Sequence, residues 1–225
     1  MFSYNLREVL IQKDELIREK LSKSRPIVAA STRDGLVLVT ESAGTRKKIW
    51  PVSSKIVFGG IGEFTDFKGV GSVRIPGLEG IQDIAVKLVS THVLQYSEED
   101  VHVDSLALVL GSLIRKIYID PKRFPICVKF LLAEVNSTPE QDKIFVVSPS
   151  GILTQIESSY AVLAGTDETY SSLEQKIKQH LADRRFEELD IETAIDILKK
   201  VLTPEGQEIR FEVGIQSRDK KFQRR

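Results

Sequence analysis

The sequence predicts an α+β fold: two antiparallel sheets face to face, enclosed by helical layers, with one extra helix at the N-terminus. Three observations carry this. Strand-like and helix-like stretches come in blocks (hairpin, hairpin, two helices, strands, two helices, strand), whereas a parallel sheet interleaves helix and strand one by one. The first two hairpins have no helix between them, which points away from a doubly wound sheet. Val37, Val39, Ile56, Phe58, Val128 and Phe130 read as the apolar inner faces that sheet-on-sheet packing requires.

Each element has its own signal. Over Asn5–Leu21, Leu6, Val9, Leu10, Leu16, Ile17 and Leu21 fall near one helical face, and Asn5 with Glu8 outlines a capping box. That stripe is buried either on its own domain or against another subunit; Leu10 and Leu16 are its candidates for a subunit contact. After Pro26, Ile27–Ser31 and Leu36–Thr40 form a hairpin across Asp34-Gly35. Lys48–Val52 and Ser54–Gly60 form a second. Gly62–Val70 begins as a helix weakened by Gly69 and Gly71. Gly80–Leu94 and Ser105–Ile117 follow as helices, the latter capped by Asp104, with Leu106, Val109, Leu110, Leu113, Ile114 and Ile117 on its apolar face. Strands are expected at Ile126–Val135, Lys143–Val147, Ile152–Glu157 and Tyr160–Leu163. Helices at Thr169–Arg185 and Asp190–Leu202 come next, then a strand at Ile209–Ile215 and a mobile basic tail from Arg218 to Arg225.

The 225 residues have the size of one large domain, read as a single unit 1–225 with helix 5–21 and tail 218–225. Lys+Arg and Asp+Glu both number 32, so the net charge is zero, which argues against nucleic acid as the main partner. One cysteine excludes an intrachain disulfide, and three scattered histidines argue against a metal centre; no cofactor is expected. No apolar run approaches the roughly 20 residues that span a bilayer, and no signal-like segment opens the chain, so no membrane partner and a cytoplasmic location are expected.

The segment RPIVAASTRDGLVLVTESAGTRKKIWPVSSKIVFGGIGEFTDF resembles the N-terminal half of a 20S proteasome subunit. The landmarks are Asp34-Gly35 between two strands, Glu41 ending the second, Lys48-Ile49 and Gly62. Ser148-Pro149-Ser150-Gly151 and Ala164-Gly165-Thr166 resemble the second-half signature. No one motif is specific, but the ordered set is. The helix ahead of the first strand resembles that of the alpha-type, and the short loop from Glu41 to Lys48, the run PVSSKIVFGGIGEFTDF and the end Phe222-Gln223-Arg224-Arg225 are most similar to the bacterial alpha-type.

The resemblance implies an N-terminal-nucleophile-hydrolase-like fold and a division of chemistry. Catalytic beta-type subunits use an N-terminal threonine as nucleophile and its α-amine as base. Counted from Asp34 and Glu41, Arg25 stands at that position, and arginine has no nucleophilic atom. The implied function is a non-catalytic alpha-type subunit of a seven-membered ring. Its partners would be copies of itself, catalytic beta subunits, a ring-shaped ATPase activator and unfolded protein substrates in transit. Met1, Phe2, Ser3 and Tyr4 would restrict the pore, in place of the archaeal Tyr-Asp-Arg pattern. Lys48, or Lys47 beside it, would receive the activator's terminal carboxylate. Two other readings stand beside this one: a hydrolase self-processed at Ser24 or Thr32, and a self-assembling scaffold without a protease partner.

Overall fold

The computed structural model describes residues 5–68, 74–204, 207–219 and 221–225. Helix α1 spans Leu6–Ser22, and Asn5 caps it by accepting from the Arg7 amide at 3.2 Å. The first sheet is built of β1 (Ile27–Thr32), β2 (Gly35–Glu41), β10 (Tyr160–Leu163), β11 (Phe211–Ser217) and β12 (Phe222–Arg224). The second is built of β3 (Ile49–Pro51), β4 (Ile56–Gly62), β7 (Val128–Glu134), β8 (Lys143–Val147) and β9 (Leu153–Ile156). The strand orders are β10-β1-β2-β11-β12 and β3-β4-β7-β8-β9, and all pairings are antiparallel. A small ribbon pairs β5 (Phe67–Lys68) with β6 (Arg74–Ile75).

Four further helices complete two outer layers. Helices α2 (Leu78–Gln95) and α3 (Val103–Ile119) pack on the second sheet, and α4 (Asp167–Leu181) and α5 (Ile191–Leu202) on the first. The result is a helix–sheet–sheet–helix sandwich, the predicted class. Thr166 and Asp190 cap α4 and α5 by accepting from the amides of Thr169 and Thr193.

Each sheet is buried on both faces, and this corrects the assignment of the inner faces. Val37 and Val39 point at α4 and α5, and Ile56, Phe58, Val128 and Phe130 at α2 and α3. Leu36, Leu38, Val57, Ile61, Leu131 and Ala133 meet between the sheets, together with Ile17 and Leu21 of α1. An alternation of apolar with apolar residues has no phase, so the sequence alone does not distinguish the two faces.

Other boundaries move for identifiable reasons. The segment after Gly62 is not a helix among its described residues. The carbonyls of Glu63 and Phe64 accept from the amides of Leu78 and Glu79 (2.7 and 3.1 Å), and so satisfy the open N-terminus of α2. Asp104 lies inside α3 rather than capping it; His102 is the cap residue, and the Glu134 carboxylate accepts from the Val103 amide at 2.9 Å. Val109 is exposed instead of lying on the packed face of α3.

The C-terminal segment is folded rather than mobile. Phe222, Gln223 and Arg224 pair with Gln216, Ile215 and Gly214. Arg218 anchors the segment to Asp142, which is 1% exposed, through bonds of 2.9 and 3.0 Å. Its guanidinium also donates to the carbonyls of Thr32, Arg33 and Asn136. Basic residues marked this stretch as solvated, but one of them is spent on a buried acid. Gly165 stands where two elements approach closely. A Cβ there would collide with the Leu21 carbonyl oxygen, so only glycine lets the end of α1 sit against the start of α4.

Candidate functional site

Pro26 ends the connection from α1, and β1 begins at once, running beside β2 with Ile27 opposite Thr40. Across β2, Thr40 is opposite Glu212 of β11. This register gathers Arg25, Thr40, Glu41, Lys48 and Glu212 at one end of the first sheet. The Arg25 guanidinium donates to the Ser42 carbonyl at 2.6 Å and lies 3.0 Å from the Glu41 carboxylate. Glu212, 3% exposed, accepts from the backbone amides of Lys48 (3.0 Å) and Ile49 (3.3 Å).

Lys48 is the centre of the cluster. It is 3% exposed, and its Nζ donates to the Arg25 carbonyl at 3.0 Å and to Thr40 Oγ1 at 3.2 Å. Thr40 in turn donates to the Pro26 carbonyl at 2.7 Å. Burial lowers the Lys48 pKa to about 8, and the Arg25 charge adds to this, while Glu212 and Glu41 pull the other way. An ammonium has three N–H donors, so two bonds leave one of them uncommitted. A cavity of about 300 Å³ opens beside it, with Lys20, Arg25 and Arg46 among its walls. Glu63 also lines it and pairs with Lys20 at 2.9 Å. The lining is rich in cations and suits an anion.

The structure therefore brings together three positions read from the sequence: Arg25, Glu41 and Lys48. Thr40 and Glu212 carried no sequence signal, because a threonine and a glutamate in strands read as ordinary strand residues. The position is specified only by pairing between β2 and β11, 172 residues apart at Thr40 and Glu212. Lys47 is outside the cavity lining, whereas Lys48 is part of it.

Other candidates are structural. Thr32 is fully buried and its hydroxyl donates to the Gly35 carbonyl at 2.7 Å, closing the hairpin turn. Cys127 is 9% exposed, and burial pushes its thiol up to about 11, far from thiolate reactivity at neutral pH. Trp50 packs on Phe58 with ring centroids 5.7 Å apart, within its own chain. His102 lies 3.5 Å from Glu134, and Asp104 pairs with Lys143 at 3.3 Å.

Along α1, Leu10 is half-buried, and Leu16 is half-buried against the core between the sheets. The residue that fixes this helix was missed by sequence reading. Lys13 is 5% exposed and its Nζ donates to the carbonyls of Ile117, Tyr118 and Asp120 at 3.3, 2.6 and 2.6 Å. It thereby closes the C-terminus of α3 with a positive charge. Tyr118 donates back to Asp14 at 2.8 Å. Met1, Phe2, Ser3 and Tyr4 lie outside the described residues.

No family model matches the chain. Among curated proteins, the chain is similar to "Proteasome subunit alpha" of Actinosynnema mirum, 24% identical over 163 residues that cover 72% of this chain and 57% of that protein. It is similar to the protein of the same name from Saccharomonospora viridis, 21% identical over 198 residues (87% and 69%). The one from Frankia alni is 24% identical over 174 residues (76% and 67%). The chain thus spans less than two thirds of the length of the first of these relatives. The resemblance to bacterial alpha-type proteasome subunits extends over most of this chain.

Proposed function

We propose that the chain is a non-catalytic alpha-type subunit of a 20S proteasome core. Seven copies form a ring that caps rings of catalytic beta subunits and limits the entry of unfolded protein substrates. The ring also receives the C-terminal tails of a ring-shaped ATPase. The similarity to bacterial proteasome alpha subunits supports the family part of this reading.

The observation that carries the non-catalytic part is Arg25. Its guanidinium is bound to Glu41 and to the Ser42 carbonyl, and its own carbonyl accepts from Lys48. In this reading the lysine and acid beside the nucleophile of a beta-type subunit remain, but a residue without a nucleophilic atom stands between them. Lys48 then serves as an anion anchor: its uncommitted N–H faces the carboxylate of an activator tail in the cavity. Met1, Phe2, Ser3 and Tyr4 act at the pore, and Leu10 and Leu16 in ring contact. The chain functions as one domain over 1–225, in the cytoplasm.

Coexpression with a threonine-bearing proteasome beta subunit tests this. The two should copurify, with peptide cleavage lost on changing the partner's threonine and unaffected by Arg25→Ala. Cleavage by this chain purified alone would contradict the reading.

A further inference from the structure

Two surfaces at opposite ends of β4 complement one another. At its start, the last turn of α2 carries Leu94, 87% exposed, and the segment after it carries Tyr96, 68% exposed, followed by the exposed acids Glu98, Glu99 and Asp100. The segment is ordered. The Ser54 amide donates to the Glu98 carboxylate at 2.9 Å, Lys55 Nζ donates to the Glu99 carbonyl at 3.2 Å, and Val101 closes the turn as a buried residue. Leu94 is the most exposed large apolar side chain among the described residues, and three consecutive acids follow it within a few positions.

Beyond the end of β4, a groove runs beside α1. It consists of two adjoining cavities of about 320 and 380 Å³ that share Leu16, Phe124 and Pro125 as walls. Lys122 and Arg123, both exposed, line its outer part; Arg123 has a surface pairing to Asp120 at 3.2 Å. On the inner side Glu63 is held by Lys20. The inner part thus sets Leu16, Ile75, Pro76 and Phe124 beside Lys20, Glu63 and Asp66, the outer rim is basic, and the segment is apolar with an acidic end.

One copy cannot join its own two surfaces. Ser54 and Lys55 precede Ile56, and Glu63 follows Gly62, so the length of β4 separates them, about 20 Å for seven residues. The geometry points to a head-to-tail contact between copies: Leu94 and Tyr96 of one chain seat in the groove beside α1 of the next, and Glu99 and Asp100 meet Lys122 and Arg123. Such a heterologous contact uses a different surface on each partner, which is what a closed ring requires. This inference rests on the ring reading above and names the surfaces that build it.

The test is native mass measurement of four proteins: wild type, Glu99→Lys with Asp100→Lys, Lys122→Glu with Arg123→Glu, and all four changes together. All the altered positions are exposed, so circular dichroism should match across the set. Each double variant should self-associate about tenfold or more weakly, since like charges then face each other, and the fourfold exchange should restore assembly. Double variants that assemble as the wild type does overturn this contact and leave the ring standing. A fourfold exchange that fails to restore assembly also overturns it. A wild-type monomer overturns both.

Discussion

Lys48 and Lys13 show how a buried ammonium takes its meaning from its surroundings. Both are nearly inaccessible, and burial lowers the pKa of both. Lys13 has all three N–H groups committed to carbonyls and so is purely a clamp. Lys13→Met should cost about 1–3 kcal/mol in urea unfolding, because charge-assisted bonds to the end of α3 are lost. Lys48 keeps a free donor beside a cavity, and its pKa of about 8 makes that donor conditional. In the proposed role the ammonium form, present below pH 8, holds the carboxylate, and as pH rises through 8 the group becomes a neutral amine. Binding of an activator-tail peptide, followed by fluorescence anisotropy, should therefore weaken from pH 7 to pH 9. Lys48→Arg, which stays charged over that range, should flatten the profile. An unchanged profile in the variant would remove Lys48 from the site. The Lys48 position was legible in the sequence because it stood in an ordered set of landmarks. Lys13 was not: a lysine on an amphipathic helix reads as solvent-facing, and its partners are more than a hundred residues away.

Elements were legible where caps and turns are local and blurred where tertiary partners set the ends. Asp34-Gly35 marked the β1–β2 turn, where Gly35 has φ 150°, and Asp190 marked the start of α5. The segment after Gly62 failed because its carbonyls serve the N-terminus of α2, a partnership that local propensity does not express. The C-terminal tail failed in the opposite sense, since its charge suggested solvation while Arg218 enters a buried network. Arg218→Ala should cost about 3 kcal/mol in equilibrium unfolding, because Asp142 keeps its burial and loses its countercharge. The same variant should raise hydrogen exchange at the amides of Ile215 and Ser217, which border β12. A loss below 0.5 kcal/mol, on the order expected of surface ion pairs, would show that the network does not hold this segment.

At the scale of the molecule, the block order of strands and helices was enough to give the layered class. The phase of each strand was not, because both faces of both sheets are apolar. Only the two outer helical pairs, visible in the structure, decide that Val37 and Val39 face α5 while Leu36 and Leu38 face the other sheet. In the reading proposed above, the same sandwich carries two complementary end surfaces, and Arg25 occupies the position of a hydrolase nucleophile. Both belong to the proposed assembly subunit. Mass measurement of the purified chain under native and then denaturing conditions tests that most directly. The account predicts an intact 25.3 kDa chain in a complex of about seven copies, or twice that if rings stack. An intact monomer, or a chain shortened to a new serine or threonine terminus, would contradict it.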